Sequence, residues 1–229
     1  MRLTFTFQIK GETLIVPLSY HHQLQALIYK MIGNNLSENL HDKGNIKPFV
    51  FSQLNGEYIL DKERKVILFS NHISFSMASL DDTLLFSILT NTSFHKKYEI
   101  LRQEIILSDV ILEKEAVLND GLSIINMLSP LTIHKTISEG EKKKTIYFNV
   151  NEEEFNEAVN MNFLHKIDIM NPSLSKKKIS LIPYHNIKKA NILYKDFTII
   201  GYMGQFVLKA EKEQKRFLLN TGLGDRNWE

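Results

Sequence analysis

Two neighbouring stretches, LTFTFQI at residues 3–9 and HQLQALIYKMIG at residues 22–33, set the pattern of the N-terminal half. Apolar and polar residues alternate in the first stretch, which predicts a strand with one buried face. In the second stretch, apolar residues recur at the i, i+3, i+4, i+7 spacing of a helix that ends at Gly33. The chain therefore opens with a strand followed by an amphipathic helix.

The rest of the N-terminal half extends this order of elements. A short helix is predicted over residues 35–42, and strands are predicted over 49–54 and 66–70. Between these strands, residues typical of turns occur around 55–56 and 61–64. Another amphipathic helix is predicted over residues 80–89, followed by a strand over 105–113. The order βαββαβ is that of a ferredoxin-like domain, in which two helices cover an antiparallel sheet.

The second half shows a similar order without a repeat of the sequence itself. A hairpin is predicted before a helix that starts near residue 151, and four strands and a short helix are predicted over 179–219. The fold class is therefore α+β, with two tandem ferredoxin-like domains. Because Asp120-Gly121 and Ser129-Pro130 interrupt the pattern, the domains are predicted to span 1–122 and 123–229. The hairpin strands are predicted at 131–137 and 145–150, and the later strands at 179–183, 192–194, 197–202 and 206–209.

Composition restricts the class of protein. The 229 residues include 28 basic and 26 acidic side chains, which give a formal charge of +2. The sequence contains no cysteine, which excludes a disulfide scaffold, a thiol nucleophile and any zinc site that needs thiolate. No apolar run approaches the roughly 20 residues of a membrane span, and the N-terminus lacks the apolar block of a signal peptide. We expect a cytoplasmic protein that does not bind a membrane.

Several kinds of catalytic site have no counterpart in the sequence. The eight histidines are mostly scattered, and neither an H-E-x-x-H spacing, a G-x-S-x-G elbow nor a Walker-type phosphate loop is present. We therefore expect neither a metal nor a cofactor. General acid–base chemistry by His, Tyr or Lys remains open, as does the absence of catalysis.

One set of residues could carry acid–base chemistry. Tyr29 lies opposite the apolar stripe of the first helix, His41 is predicted on the next helix, and Lys47 follows it. An imidazole can transfer a proton near neutral pH, while a lysine and a tyrosine hydroxyl can stabilise the charge of a phosphorane. The alternative is structural, with Tyr29 at the rim of the core and His41 at a helix end.

A basic segment lies in the second half. No acidic residue occurs between Asp168 and Asp196, although this segment contains six lysines. A basic groove of this kind would attract a polyanion such as RNA through the release of counterions. The alternative is a solvated lysine face. The lysines are Lys176, Lys177, Lys178, Lys188, Lys189 and Lys195.

Short motifs along nearly the whole chain resemble one family. In the first half they are YHHQLQALIY at residues 20–29, LHDKG at 40–44 and KPFVFS at 47–52, and in the second half LSPLT at 128–132. Near the C-terminus they are IGYMGQF at residues 200–206 and TGLGDRN at 221–227. Together, and in this order, the motifs resemble the CRISPR-associated endoribonucleases of the RAMP superfamily, which trim precursor CRISPR RNA at its repeats.

The resemblance implies a fold and a reaction. The family has paired ferredoxin-like domains and cuts RNA without a metal, because the ribose 2′-hydroxyl attacks the adjacent phosphate. By motif position, His41 is the general base or acid, Lys47 stabilises the transition state and Tyr29 positions or polarises the reacting groups. The resemblance implies the following RNA-binding residues: Lys176, Lys177, Lys178, Lys188, Lys189, Gly222, Gly224 and Arg226.

The C-terminal motif is shorter than in the family, where the glycine-rich loop continues into a final strand. We therefore expect the second domain to lack its usual last strand, which leaves a sheet edge exposed, shielded, or paired with a second copy in a homodimer. The expected partner is CRISPR repeat RNA, together with other CRISPR-associated subunits. Two alternatives stay open: a non-cleaving RNA-binding subunit of a larger ribonucleoprotein, and an unrelated αβ sandwich that binds a small molecule.

Overall fold

The computed structural model describes residues 1–33, 47–92, 95–140, 142–194 and 197–225. The chain folds as two compact units. The first unit comprises Met1–Glu115 together with Leu193–Asp196, and the second comprises Ala116–Ile192 together with Phe197–Glu229.

The first unit is a mixed α+β fold built on one antiparallel sheet. Its elements are β1 (Arg2–Pro17), α1 (His21–Ile32), β2 (Phe49–Phe51), β3 (Asn55–Asp61), β4 (Val66–Ser79), α2 (Asp82–Asn91), β5 (Lys97–Ile100) and β6 (Gln103–Leu112). The strands lie in the order β2-β4-β1-β6-β5, and β3 pairs with β4 beside this path. The run β6-β1-β4-β2, with one helix after β1 and one after β4, is the ferredoxin-like arrangement of a βαββαβ chain.

The apolar residues of the predicted first strand and first helix form the core of this unit. Leu3, Phe5 and Phe7 of β1 are fully buried, as their alternation with polar residues predicts. The ring of Phe75 on β4 lies 5.4 Å from that of Phe5 and 6.0 Å from that of Phe7. The apolar stripe of α1 is also buried. Burial of these faces fixes the register between β1 and its neighbours, because a slip of one residue would expose every aromatic side chain.

Strand β3 differs from the sequence prediction, which places turns around residues 55–56 and 61–64. The side chains of Tyr58, Ile59 and Leu60 are all exposed, by 62%, 70% and 43%. A strand without a buried face shows no alternation in its sequence, so its pattern could not be recognised. Backbone pairing with β4, from Asn55 to Asp61, defines this strand instead.

The elements of the second unit are β7 (Gly121–Asn126), β8 (His134–Glu139), β9 (Lys142–Tyr147), α3 (Glu153–Met170), β10 (Ser180–Tyr194), β11 (Phe197–Ala210) and α4 (Lys212–Thr221). They form a three-stranded sheet, in the order β10-β11-β7, and a separate hairpin of β8 and β9. The main elements follow the order βαββα, with the hairpin inserted before the first helix. No strand follows α4 within the described residues 222–225.

The sequence prediction for this unit missed its first strand, β7, which pairs with β11 in the main sheet. The predicted hairpin, with strands at 131–137 and 145–150, is confirmed, because it overlaps β8 and β9 and these two strands pair with each other. Leu122 and Ile124 of β7 are 68% and 58% exposed, so these two apolar residues do not mark a buried face, although Ile125 packs against the core. The four strands predicted after residue 178 form two long strands. The predicted division between residues 122 and 123 falls inside β7 and stays a prediction.

The core of the second unit lies between α3, α4 and the sheet. Phe155 and Phe163 of α3 and Phe206 of β11 are almost completely buried there. The rings of Phe163 and Phe217 meet at 6.1 Å, which joins α3 to α4. In the described part of the chain, none of the helices has the length and apolar character that crossing a membrane requires.

A buried histidine at the start of α1 makes the stability of the protein depend on pH. His21 is 5% exposed and stacks on the ring of Tyr20 at 4.8 Å. Burial, and secondarily the neighbouring His22, lower the pKa of His21 from 6.5 to about 4. Between these two pH values the unfolded chain binds a proton that the folded chain does not, so this contribution to stability is lost as the pH falls from 6.5 towards 4.

We therefore expect His21 to lower the free energy of unfolding by about 2 to 3 kcal/mol when the pH falls from 7.5 to 4.5. Urea denaturation of the wild type and of His21→Phe at both pH values measures this contribution. On going from pH 7.5 to pH 4.5, the free energy of unfolding of the wild type should fall by that amount more than the free energy of unfolding of His21→Phe. His22→Gln changes the exposed neighbour and should keep most of the wild-type pH dependence, because burial is the larger cause of the lowered pKa of His21. An equal pH dependence in the wild type and His21→Phe would contradict the assignment.

Candidate functional site

Tyr29 is held in place by the aromatic core of the first unit. It lies on α1, is half-buried, and meets the ring of Phe49 edge-on, with the centroids 6.0 Å apart and the planes at 85°. Its hydroxyl oxygen accepts hydrogen bonds from Lys47 Nζ and, at 3.4 Å, from Gln25 Nε2. The ring is therefore fixed by packing, and its hydroxyl group is aimed at the lysine.

Lys47 is anchored at the edge of the same sheet. Its Nζ lies 4.7 Å from the centroid of the Tyr29 ring, which adds a cation–π contact to the hydrogen bond. The neighbouring segment is tied to β4, because the Ser79 hydroxyl donates to the carbonyl oxygen of Pro48 at 2.5 Å and Phe49 pairs with Ser79. The ammonium and the phenol hydroxyl thus form a fixed pair at which negative charge can be stabilised.

The C-terminal end of α1 is fixed as well. The carbonyl oxygen of Ile32 accepts hydrogen bonds from Asn91 Nδ2 at 2.7 Å and from the Ser87 hydroxyl at 3.1 Å, both on α2. Gly33 has a positive φ of 92°, and a Cβ atom at this position would lie 2.8 Å from Asn91 Nδ2. Glycine is therefore required where the chain leaves α1.

Of the three predicted catalytic residues, the structure brings Tyr29 and Lys47 into contact. His41 lies outside the described residues, and so does Arg226, one of the predicted RNA-binding residues. The predicted short helix over residues 35–42 also lies outside them. The acid–base part of the candidate site therefore stays a prediction from the sequence.

Two of the predicted RNA-binding lysines in the second unit form ion pairs. Lys176 Nζ pairs with Asp168, and Lys177 Nζ lies 2.6 Å from a carboxylate oxygen of Glu211. The hydrogen bond to Lys177 lowers the pKa of Glu211, and the same hydrogen bond raises the pKa of Lys177. The positive charge of the segment between Asp168 and Asp196 is therefore partly neutralised in the folded protein by carboxylates of residues outside that segment.

The other predicted lysines remain available to an anion. Lys178, Lys188 and Lys189 are exposed, and within the described residues no carboxylate forms an ion pair with them. Tyr184, on the same strand as Lys188 and Lys189, is 59% exposed. An exposed aromatic ring on a strand that also carries basic side chains can stack on an unpaired base.

The glycine-rich segment after α4 has a defined backbone. Gly222 has a φ of 74° and its N–H group donates to the carbonyl oxygen of Leu218 at 2.8 Å, which ends the helix. Two residues after Gly222, the loop reaches Gly224. The N–H group of Asp225 donates to the carbonyl oxygen of Thr132 at 3.1 Å, and its carboxylate accepts from the N–H group of His134 at 2.9 Å. The loop is thus fixed at both ends.

Comparison with known proteins connects this geometry to a family. A family model described as CRISPR associated protein Cas6, C-terminal, matches residues 113–229, about half of the chain. No curated protein sequence matches the chain significantly.

Solved structures resemble the whole chain. One, of a Cas6-related gene from Pyrococcus furiosus, has a TM-score of 0.86 at 19% identity and covers 99% of this chain and 94% of that one. A RAMP protein described as binding different RNA substrates has a TM-score of 0.83 at 16% identity and covers 99% of this chain and 95% of its own. Cas6 in a product complex has a TM-score of 0.71 at 12% identity and covers 99% of this chain and 95% of its own.

These likenesses confirm the predicted fold class, α+β with two tandem ferredoxin-like domains. The family model confirms the resemblance found in the sequence motifs. This chain belongs to the Cas6 family of CRISPR-associated, repeat-processing proteins.

Proposed function

We propose that this protein is a metal-independent endoribonuclease that cuts CRISPR repeat RNA in precursor transcripts. The contact between Lys47 Nζ and the Tyr29 hydroxyl carries the proposal, because these are two of the three residues that the family resemblance assigns to catalysis. They are 18 residues apart in sequence, and the fold brings them together. The presence of His41 together with Lys47 in the sequence favours an enzyme, because a protein that only bound RNA would not need an imidazole there.

In the proposed reaction, the ribose 2′-hydroxyl attacks the adjacent phosphorus atom. The P–O5′ bond breaks, which leaves a 2′,3′-cyclic phosphate on one product and a 5′-hydroxyl group on the other. The 2′-hydroxyl loses a proton and the leaving O5′ gains one; His41 carries out one of these transfers, as general base or acid, and water carries out the other. Lys47 stabilises the additional negative charge of the phosphorane, and Tyr29 holds the ammonium in position through its ring and its hydroxyl oxygen.

The RNA is held, in this proposal, by the basic residues and the glycine-rich loop of the second unit. Phosphate contacts by exposed lysines provide affinity without reading the sequence. Gly222 and Gly224 allow the RNA backbone to approach the loop closely, because they have no side chain. Association with other CRISPR-associated subunits, or with a second copy of the chain, stays a prediction.

The ion pairs divide the lysines into two groups with different expected effects on RNA binding. The triple replacement of Lys178, Lys188 and Lys189 by alanine should reduce the slope of log K against log salt concentration by about 2, for three phosphate contacts. The double replacement of Lys176 and Lys177 should change this slope less, because both lysines are already paired with carboxylates. RNA affinity measured at several salt concentrations gives both slopes. A larger change of this slope in the double variant would show that the RNA binds at the paired lysines, Lys176 and Lys177, instead.

Incubation with end-labelled repeat RNA in excess EDTA tests the proposed function. We expect a single cut within the repeat, with a cyclic phosphate on the upstream product. Tight binding without any cut would instead identify a non-cleaving RNA-binding subunit. Cleavage that requires a divalent metal would contradict the metal-independent mechanism.

A further inference from the structure

A glutamine lies beside the Tyr29–Lys47 pair of the first unit. Gln25 is on α1, one helical turn before Tyr29, and both side chains are half-buried. Its Nε2 donates a hydrogen bond to the Tyr29 hydroxyl oxygen at 3.4 Å. Residues four apart on a helix are neighbours on its surface, so α1 itself brings the amide group to the phenol. The motifs that assign roles to Tyr29, His41 and Lys47 assign none to Gln25.

The Tyr29 hydroxyl oxygen accepts two hydrogen bonds, one from Gln25 Nε2 and one from Lys47 Nζ. A phenol oxygen can accept through its lone pairs and can donate its single proton. An ammonium group and an amide NH₂ group only donate, so neither can receive that proton. The O–H bond of Tyr29 is therefore directed away from both Gln25 Nε2 and Lys47 Nζ.

The phenol ring itself has little freedom to move. It meets the Phe49 ring edge-on at 6.0 Å, and Lys47 Nζ lies 4.7 Å from its centroid on one face. Rotation about the bond between the ring and the oxygen is then the main freedom of the hydroxyl group. The two donors at the oxygen, Gln25 and Lys47, restrict this rotation.

The chemical nature of residue 25 thus determines where the Tyr29 proton can point. A hydroxyl group rotates its proton towards a neighbour that accepts it. A carboxylate at position 25 would draw the proton towards α1 and would also attract the Lys47 ammonium. The amide of Gln25 is neutral and presents its N–H side, so it does neither. The proton is then directed to a different acceptor, and a phosphate oxygen that gains negative charge during the proposed reaction is a strong one.

We propose that Gln25 is a positioning residue, which keeps the Tyr29 oxygen as the acceptor of the Lys47 ammonium and directs the Tyr29 proton towards the reacting phosphate. Gln25 does not touch the RNA; it acts through Tyr29. Because the phosphate is the one at which the RNA is cut, this inference rests on the proposed function.

Gln25→Glu tests this role with a side chain of nearly the same shape. The carboxylate only accepts hydrogen bonds, so it should take up the Tyr29 proton and draw the Lys47 ammonium away from the phenol oxygen. We expect the single-turnover cleavage rate to fall by about 10- to 100-fold, since the reacting groups lose their alignment. RNA affinity should stay within about threefold. A cleavage rate within twofold of the wild type would overturn the proposal.

Gln23→Glu is the matched control, because it adds the same charge to the same helix. The Gln23 amide lies beside the carbonyl oxygens of Ser19 and Tyr20, at the N-terminal end of α1. This variant should cut RNA within about twofold of the wild-type rate. An equal loss of rate in both variants would show that negative charge on α1, and not the group at position 25, slows cleavage, and would overturn the proposal.

A double-mutant cycle shows whether Gln25 acts through the Tyr29 hydroxyl. Gln25→Leu removes the amide group and should lower the cleavage rate by about 5- to 20-fold. In a protein that carries Tyr29→Phe, which has no hydroxyl group, the same replacement should change the rate by less than about twofold. An equal loss in both backgrounds would show that Gln25 acts independently of Tyr29, and would overturn the proposal.

A spectroscopic measurement observes the hydroxyl group without RNA. Labelling with tyrosine that carries ¹³C at Cζ gives signals from the eight tyrosines of the chain, and the Tyr29 signal is the one that Tyr29→Phe lacks. The Cζ chemical shift responds to the hydrogen bonds of the attached oxygen. The Tyr29 signal should therefore move in Gln25→Glu and keep its position in Gln23→Glu. An unmoved Tyr29 signal in Gln25→Glu would overturn the inference.

The two kinds of measurement separate this inference from the proposed function. A wild-type protein that binds repeat RNA without cutting it would contradict the proposed function, while a Tyr29 signal that moves only in Gln25→Glu would still support the role of Gln25 in directing the hydroxyl group. Conversely, normal cleavage by Gln25→Glu would overturn the inference and leave the proposed function in place.

Discussion

Replacement of Lys47 by methionine is expected to slow cleavage of repeat RNA by about 10²- to 10³-fold, the usual cost of removing one group that stabilises transition-state charge. Methionine keeps most of the length of the side chain and can still pack on the Tyr29 ring, while the ammonium is lost. Because Lys47 acts on charge that develops during the reaction, RNA affinity should stay within about threefold. Single-turnover cleavage rates, with affinity measured separately, distinguish these two effects.

Lys30→Met is the matched control for this prediction. Lys30 is exposed on α1, next to Tyr29 in sequence, and the same change of charge there should leave the cleavage rate within about twofold of the wild type. Equal losses in both variants would show that the overall charge, and not the position of the Lys47 ammonium, determines the rate. An unchanged rate in Lys47→Met would remove Lys47 from the mechanism.

Replacement of His41 by alanine is expected to lower the cleavage rate by about 10²- to 10⁴-fold, the range for loss of a general acid or base. RNA affinity should change only a few-fold, since the imidazole acts on protons of the reacting groups. Because His41 lies outside the described residues, this expectation rests on the sequence resemblance and on the chemistry of imidazole. Cleavage rates across pH 5 to 9 should also lose the dependence on pH that a titrating histidine produces.

His22→Ala provides the control for this second prediction. His22 is an exposed histidine on α1, and its loss should leave the cleavage rate within about twofold of the wild type. A rate in His41→Ala equal to that of the wild type would show that another group transfers the proton. Loss of cleavage in His22→Ala alone would identify His22 as that group.

The predicted elements agree with the structure where burial produces a regular pattern. The alternation in β1 and the helical stripe of α1 both correspond to faces packed in the core. Strand β3 has three exposed apolar side chains, and in β7 the exposed face carries Leu122 and Ile124, so apolar residues do not mark the inner face of either strand. Such strands are defined by hydrogen bonds to a partner that is distant in sequence, which periodicity does not reveal.

The candidate site was predictable only in part. The family resemblance identified Tyr29 and Lys47, but their contact depends on how β2 is placed beside α1. The lysine-rich segment suggested a uniformly basic surface, yet Asp168 and Glu211 come from elements outside it. Ion pairs between separate elements cannot be derived from charge along the chain.

The sequence contains a feature that indicates the burial of Lys166. This lysine follows Phe155, Val159 and Phe163 on the buried face of α3, where an apolar residue would be expected. A charged residue in an apolar stripe indicates a buried partner. The identity of that partner, the loop after α4, depends on the packing of the two helices and on the loop backbone.

A single 2′-deoxy substitution in the repeat RNA tests the central claim most directly. The substitution is placed at the nucleotide just upstream of the cut found with unmodified RNA, and cleavage and affinity are measured in excess EDTA. Because the 2′-hydroxyl is the proposed nucleophile, we predict that the modified RNA binds with nearly unchanged affinity and is not cut at that position. Cleavage of the deoxy RNA at the same site would contradict the account, since the attacking group would then have to be water or a side chain.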